Sequence, residues 1–422
     1  MGIVPQAASV SSWFFFRYAI AYISLFMTLM MPPVMTLAIR LEMIDSANKG
    51  ANLGIILGLG ALFALVANPL FGMCSDRTYW RFGRRRPWIV GGVLIGALAL
   101  VTISQTTNLL IIGVAWCLTQ AALNAALAAL VAIVPDQVPE DQRGKVSAIS
   151  GMAIYVGILV GVYIVQMVGT EGPAMFIVPT LVGVIGVCFF ALTNKDPAVK
   201  RPQNKEQERE QNMPILRQLG GVFWVNPMTF PDFGWAWLSR FLVFLGVASL
   251  LSYQVYLLLD WVKIDPRNIE QIMFTSTLIT TIAVVASSTI SGWASDKIGK
   301  RKIFVFLSAA LYGVGLACLI LLEGLSGFYT GIAISSVGLG VYLAVDQALV
   351  VDVLPNRETE AAKNMGVLNI ANAVPQSLAP AIAPLILAVG TSGQDNYELL
   401  FLVAAVVAGL GALAILPVRG TN

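Results

Sequence analysis

The sequence has no histidine among its 422 residues and only four cysteines. Without imidazole side chains, any proton relay must be built from other groups. The cysteines are scattered through apolar segments with no Cys-x-x-Cys pair, which excludes a clustered thiolate metal or redox site. The phosphate-cradling motif Gly-x-x-x-x-Gly-Lys-Ser/Thr is also missing, so ATP-driven activity is not supported. There is no basic arm, so we predict no nucleic-acid partner.

Charge is scarce as well. Only 12% of the residues are charged and 57% are hydrophobic, whereas a typical soluble domain is about a quarter charged. The apolar stretches between the charge clusters reach the roughly 18 residues needed to cross a ~30 Å hydrocarbon core. We therefore predict an all-α membrane protein with twelve transmembrane helices. The predicted spans are 13–39, 52–74, 87–106, 108–135, 146–169, 173–193, 233–262, 268–294, 303–322, 326–354, 364–390 and 397–417. The first run is too long for the apolar core of a signal peptide, so we expect a retained helix.

The distribution of Lys and Arg predicts the orientation. If both termini are cytoplasmic, 20 of the 26 basic residues lie in inner loops and tails, and four lie in outer loops. The remaining two, Arg17 and Arg240, lie inside helices. This asymmetry satisfies the positive-inside rule. We therefore predict a multi-pass protein of the plasma or inner membrane with both termini inside.

The two halves of the sequence contain matching motifs. The pairs are Gly72…Asp76-Arg77 with Gly292…Asp296-Lys297, Gly83-Arg84-Arg85 with Gly299-Lys300-Arg301, Asp136…Pro139 with Asp352…Pro355, and Trp13…Arg17 with Trp235…Arg240. A polar stretch rich in Pro, Gln, Glu and Lys separates them, as in a flexible linker. The predicted organisation is a six-helix half (1–193), a cytoplasmic linker (194–232) and a second six-helix half (233–422). Parallel repeats of this kind are typical of one transporter architecture, with the site near the midplane between the halves.

The loop from Gly72 to Trp88 resembles the signature loop of the major facilitator superfamily. Its extra residues before Gly83 and its ending, Arg84-Arg85-Arg86-Pro87, resemble the glycoside–pentoside–hexuronide cation symporters, and most closely their sucrose/proton carrier relatives. The resemblance implies the major facilitator fold and secondary transport rather than enzyme catalysis. It also implies a proton gradient in place of a cofactor, a small polar solute such as a sugar, a lipid bilayer and a functional monomer.

The sequence departs from this family where coupling acids are expected. The melibiose-type symporters carry two acids in the second helix, and the matching positions here are Ala64 and Asn68. The sodium site is therefore not supported. The fourth helix, where plant sucrose carriers have an acid, has none here. Its strongly polar residues are Gln120 and Asn124, which lie on one helical face.

The signature loop predicts a gate. We expect Asp76, Arg77 and Arg84 to latch one conformation, with Asp296 and Arg301 as weaker counterparts. Gly72 would let helices approach closely, and an Asp can accept backbone N–H groups at a helix start. The alternative is that the arginines only set the topology.

An acid inside the tenth helix, Asp346, is the candidate coupling group, next to Gln347. An acid at that depth is a functional hypothesis by default. The resemblance places Arg17, Arg240, Gln120 and Asn124 on cavity-lining helices as well. Our hypothesis is that Asp346 pairs with Arg240 or Arg17, and that protonation or substrate breaks the pair. The alternatives are a static ion pair and arginines that reach the headgroups.

The eleventh helix carries Asn369, Asn372 and Gln376 on one face, in a segment with three prolines. Amides suit sugar hydroxyls because they both donate and accept, but they also bind neighbouring helices. Asp260, near the outer end of the seventh helix, is expected to reach water.

Three functions stay open at this point. The first is a proton-linked carrier of a sugar or glycoside. The second is an exporter of a hydrophobic drug or metabolite, and the third is a transporter-like receptor or assembly factor. Fold alone does not decide among them.

Overall fold

The computed structural model describes residues 9–196, 229–353, 361–390 and 395–419, and these contain helices and no strand. The first half of the chain forms α1 (Ser12–Met31), a π-helical turn (Pro32–Thr36), α2 (Leu37–Ile44), α3 (Lys49–Asp76), α4 (Arg86–Gln105), α5 (Leu109–Gln137), α6 (Glu140–Val168) and α7 (Ala174–Thr193). The second half forms α8 (Pro231–Tyr256), a π-helical turn (Leu257–Trp261), a 3-10 turn (Pro266–Asn268), α9 (Ile269–Ile298), α10 (Arg301–Leu321), α11 (Gly324–Asp352), α12 (Ala361–Leu387) and α13 (Tyr397–Ala414).

Twelve of the described helical segments are long and apolar enough to cross a membrane. The first span comprises α1, the π-helical turn and α2, and the seventh comprises α8 and the next π-helical turn. The prediction of a twelve-helix membrane protein is confirmed. Most of the predicted linker, 197–228, lies outside the described residues, so its role stays a prediction.

The described residues group into two compact units. The first comprises the described parts of 1–32 and 62–217. Its core joins α1, α4, α5, α6 and α7 through aromatic and aliphatic side chains such as Tyr18, Leu123 and Phe190. Helix α6 approaches α1 closely at Gly157, where a Cβ atom would lie 2.7 Å from the Ile23 carbonyl oxygen.

The second unit comprises the described parts of 33–61 and 218–422. It therefore includes α2 and the beginning of α3, and α2 packs on α8. Its core includes Phe233, Tyr342 and Leu349. Helices α10 and α11 pack tightly at Gly338, where a Cβ would lie 2.7 Å from the Tyr312 nitrogen.

The signature glycines do not mark close crossings, contrary to expectation. A Cβ atom at Gly72 would meet the Ala128 Cβ at 3.8 Å, an ordinary van der Waals distance. At Gly292 a Cβ would have nothing within 4 Å among the described residues. The close approaches in the described parts of this fold lie at other glycines, such as Gly157 and Gly338.

Helix α12 contains Pro375, Pro380 and Pro384 and remains helical through all three. A proline has no N–H, so each leaves the carbonyl four residues earlier without its helical bond. One of these carbonyls, that of Pro380, lies 3.4 Å from the Tyr253 hydroxyl, which shares its one proton between this carbonyl and the Gly50 carbonyl at 3.1 Å. Membrane helices tolerate such interruptions where other protein groups satisfy the backbone.

Candidate functional site

A buried ion pair joins α8 to α11 inside the second unit. The Arg240 Nε and Nη2 atoms lie 2.6 and 2.5 Å from Oδ2 of Asp346. Arg240 is 5% exposed and Asp346 is fully buried. Arg240 Nη2 also donates to the Gln347 amide oxygen at 3.1 Å. Of the two predicted pairings, the structure contains the one with Arg240.

The second carboxylate oxygen of Asp346 takes no part in the ion pair. Oδ1 of Asp346 is buried and meets hydrogen-bond geometry with no described residue. The Tyr342 hydroxyl lies near the carboxylate from one turn earlier, but without such geometry. A buried oxygen without a partner costs about 1–3 kcal/mol. This oxygen is therefore an unused buried acceptor of the site, with the Tyr342 hydroxyl as the nearby described donor.

Arg17 has a different environment in the first unit. Its Nη1 donates to the Thr193 carbonyl at 2.6 Å, at the end of α7, and its guanidinium lies 5.7 Å from the Trp13 ring centre. Helix ends leave carbonyls unpaired, and a basic side chain satisfies them well. The structure thus places Arg17 at a helix terminus, away from any carboxylate that it describes.

The amides predicted in the fourth span form a cluster. Asn124 donates to the Gln120 carbonyl at 2.9 Å and to the Gln120 side chain at 3.2 Å, and both residues are 8% exposed. Asn68 from α3 adds a third amide, with its Nδ2 atom 3.5 Å from the Asn124 oxygen. Three neutral amides thus lie together, so the cluster offers donors and acceptors without net charge.

The predicted amide side chains of α12 differ from one another in burial. Asn372 is half-buried, and its Oδ1 atom is buried without a partner among the described residues. Gln376 is exposed. Asn369 lies on the helix, but its side chain is outside the described part of the chain. Asn372 is thus the member with an unused buried acceptor.

The signature loop is organised around Arg85, which the gating prediction omitted. Its guanidinium bonds Asp76 at 2.6 Å, Asp136 at 2.9 Å and Ser75 at 3.0 Å. Arg84 adds a bond to Asp136 at 2.6 Å. Burial alone would lower the pKa of the Arg85 guanidinium, but Asp136 and Asp76 outweigh it and raise that pKa. Arg85 therefore stays charged.

The expected acid at a helix start is Asp196 and not Asp76. Asp76 is the last residue of α3, so it cannot cap the next helix. Asp196 Oδ2 accepts the backbone N–H groups of Arg85 and Arg86, each at 2.7 Å, at the start of α4. Arg77 follows α3 directly and is half-buried.

The second half repeats part of this arrangement. Arg301, the counterpart of Arg85, bonds Asp296 at 3.2 Å and the Ala348 carbonyl at 3.4 Å. Asp296 is largely exposed. The side chain of Asp352, the counterpart of Asp136, is outside the described part. Asp136 and Asp352 occupy matching positions in the two halves of the sequence. That repetition was the sequence signal that could have identified Asp136 as a partner of the arginines.

A charged cluster that the sequence did not reveal lies at the other end of the spans. Lys49, at the start of α3, lies 2.5 Å from Glu42 and 2.8 Å from Asp260. Its ammonium also lies 5.1 Å from the Tyr256 ring centre. Asp260 is exposed, as expected, but it does more than reach water, because its carboxylate also binds a lysine that is only 7% exposed. Among the described residues, no group of three or more acids or cysteines could hold a metal ion.

Comparisons with known proteins agree with this architecture. The family model described as MFS/sugar transport protein matches residues 48–392. A lactose permease of Lactobacillus delbrueckii subsp. bulgaricus is 22% identical over 275 residues, covering 60% of this chain and 42% of its own length. An uncharacterized symporter of Synechocystis sp. is 44% identical over 45 residues, covering 11% of this chain and 8% of its own length. The chain thus matches less than half the length of these curated relatives.

Solved structures share the fold across the chain. A mutant of the nucleoside transporter NupG superposes with a TM-score of 0.75 at 14% identity, covering 96% of this chain and 99% of its own. A D-xylose-proton symporter gives 0.72 at 13% identity, covering 98% and 100%. At such identities the likeness concerns the fold. With the match of the family model across most of its length, this multi-pass membrane chain belongs to the MFS/sugar transport protein family, a family of transporters and not of enzymes.

Proposed function

We propose that the protein is a proton-coupled symporter of a sugar or glycoside that works by alternating access in the plasma or inner membrane. It acts as a monomer with both termini in the cytoplasm and uses a proton gradient with no cofactor. The family and the similarity to a lactose permease and a symporter support the substrate class and the transport mode.

The buried pair between Arg240 and Asp346 carries the coupling proposal. While the guanidinium holds Oδ2, the carboxylate is stable as an anion. When a substrate hydroxyl or a structural change draws Arg240 away, a desolvated carboxylate with no partner is more stable with a proton. The alternation between these two states couples proton uptake to substrate binding.

Polar groups of both units are the candidate substrate contacts. Gln347 already shares Arg240 with Asp346, so a hydroxyl that displaces Gln347 also weakens the ion pair. The amides Gln120 and Asn124, and Asn372 with its unused acceptor, match the donors and acceptors of a sugar. The loop residues Asp76, Arg77 and Arg84, with Asp296 and Arg301, then stabilise one conformation of the cycle.

The test uses purified protein in liposomes that contain a pH-sensitive dye. Mono- and disaccharides, glycosides and nucleosides are added in turn, and the substrate-induced entry of protons is followed. In Asp346→Asn, we expect proton-driven uptake to be lost while exchange of labelled for unlabelled substrate continues, because exchange needs no net proton movement. The matched control is Glu398→Gln, an exposed acid at the start of α13, which should transport normally.

Three results would refute the proposal. Proton entry that persists in Asp346→Asn would remove this acid from the coupling step. A folded preparation that responds to no sugar would favour the exporter or the receptor, and a sodium gradient that drives uptake at constant pH would replace the coupling ion.

A further inference from the structure

The two signature loops differ in length, although each makes the same ion pair. Seven positions separate Asp76 from Gly83, whereas three separate Asp296 from Gly299. The shorter loop still brings Arg301 to Asp296. The four extra residues of the first loop are therefore not needed for the clamp between the arginine and the aspartate.

The extra segment presents aromatic and basic groups to its surroundings. Trp80 is 50% exposed and Phe82 is 45% exposed, and their rings meet edge to face at 5.1 Å. The Arg81 guanidinium lies 4.7 Å from the Phe82 ring centre. Thr78 ties the segment to the helices, since it donates to the Cys74 carbonyl and accepts from the Trp88 indole.

The charge of Arg81 distinguishes it from its neighbours. Arg84 and Arg85 are neutralised by Asp136 and Asp76. Arg81 is exposed and pairs with no carboxylate among the described residues. An unneutralised cation beside two exposed aromatic rings suits an anionic partner that also has an apolar part.

The position of the segment identifies that partner. It lies in the short connection between two membrane spans, α3 and α4, so it sits at the boundary between lipid and water. Trp rings prefer that level of the bilayer, and basic groups there are attracted to anionic headgroups. We propose that Trp80, Arg81 and Phe82 form a binding surface for an anionic phospholipid, with the headgroup on Arg81 and the acyl chain against the rings.

The test measures contact between Trp80 and lipid in the reconstituted full chain. The protein has nine tryptophans, so the Trp80 signal is the difference between each protein and the same protein carrying Trp80→Phe. Liposomes contain phosphatidylcholine and phosphatidylglycerol, with bromine on the acyl chains of one lipid or the other at equal mole fraction. Brominated lipid quenches a tryptophan that it touches.

We expect brominated phosphatidylglycerol to report an enrichment of about fivefold over phosphatidylcholine around Trp80. The excess should disappear in Arg81→Gln and at high salt, which screens the attraction. It should remain in Arg143→Gln, a partly exposed arginine at the start of α6 that bonds Glu140. The salt titration of the wild-type protein keeps the test valid if Arg81→Gln folds poorly.

Two outcomes would overturn the proposal. Equal quenching by the two lipids would mean that Trp80 belongs to a general interfacial belt. No quenching by either would mean that the segment faces water or a protein partner. Neither outcome bears on proton coupling, because the measurement involves no transport.

Discussion

The substitution Arg240→Met tests how much the buried pair contributes to stability. The guanidinium supplies each hydrogen bond that Asp346 and Gln347 receive in this pair. Its removal leaves a fully buried carboxylate with neither oxygen bonded by a described residue. Breaking a buried pair from one side costs about 3–5 kcal/mol. In a folding unit of this size, we expect the midpoint of thermal unfolding to fall by on the order of 10 °C.

The double variant Arg240→Met with Asp346→Asn separates charge burial from loss of packing. It removes both charges, so we expect it to recover at least half of the lost stability. Arg17→Met serves as the control, because that guanidinium is partly exposed and bonds two backbone carbonyls and a ring in place of a carboxylate, which predicts a loss of about 1 kcal/mol.

The assay is thermal unfolding of detergent-purified protein at one fixed heating rate, because unfolding of such proteins is often irreversible. If Arg240→Met unfolds at the wild-type temperature, or if the double variant is no more stable than the single one, the assignment of the stability loss to an uncompensated buried carboxylate is wrong.

Two further predictions concern other parts of the second unit. Lys49→Met leaves the partly exposed carboxylates of Glu42 and Asp260 without a cation, so we expect a loss of about 1–2 kcal/mol near neutral pH. Protonation of one carboxylate relieves the repulsion, so the deficit should shrink in mildly acidic buffer; a deficit independent of pH would contradict this. Gly338→Ala should cost about 1–3 kcal/mol, because its Cβ would meet the backbone of α10 at 2.7 Å. Gly292→Ala should be neutral or stabilising by about 0.5–1 kcal/mol, since no described atom lies within 4 Å of the added Cβ. Thermal unfolding of the two variants is the measurement, and a Gly338→Ala protein that unfolds at a higher temperature than Gly292→Ala would contradict the prediction.

The apolar runs predicted the helices well because the bilayer demands both length and hydrophobicity. Helix ends were less predictable. Helix α6 begins at Glu140, six residues before the predicted start, with Glu140 and Asp141 in its first turn. Acids favour that end of a helix, so it continues beyond its apolar part. The π-helical turns at Pro32–Thr36 and Leu257–Trp261 were not predicted, because a single widened turn inside a helix leaves the apolar pattern unchanged and depends on local packing.

The candidate site was predictable where a charge had to be buried. An acid inside the tenth span needs a cation, and few were available, so a pairing of Asp346 with Arg240 or Arg17 could be foreseen, whereas the choice of Arg240 required the fold. The cap that Asp196 forms on α4 could not, because its partners lie 110 and 111 residues away and only the fold brings them together. The same reason hid the pair between Lys49 and Asp260, which are 211 residues apart.

The three prolines of α12 also set its mechanical behaviour. A regular helix resists bending because every turn is held by hydrogen bonds that run along its axis. Each of Pro375, Pro380 and Pro384 removes one of these hydrogen bonds, so α12 has three joints at which it bends more easily than a regular helix. The Tyr253 hydroxyl braces one of them by holding the Pro380 carbonyl. Flexing at that joint costs a hydrogen bond to α8, whereas the other two bend without losing such a bond among the described residues.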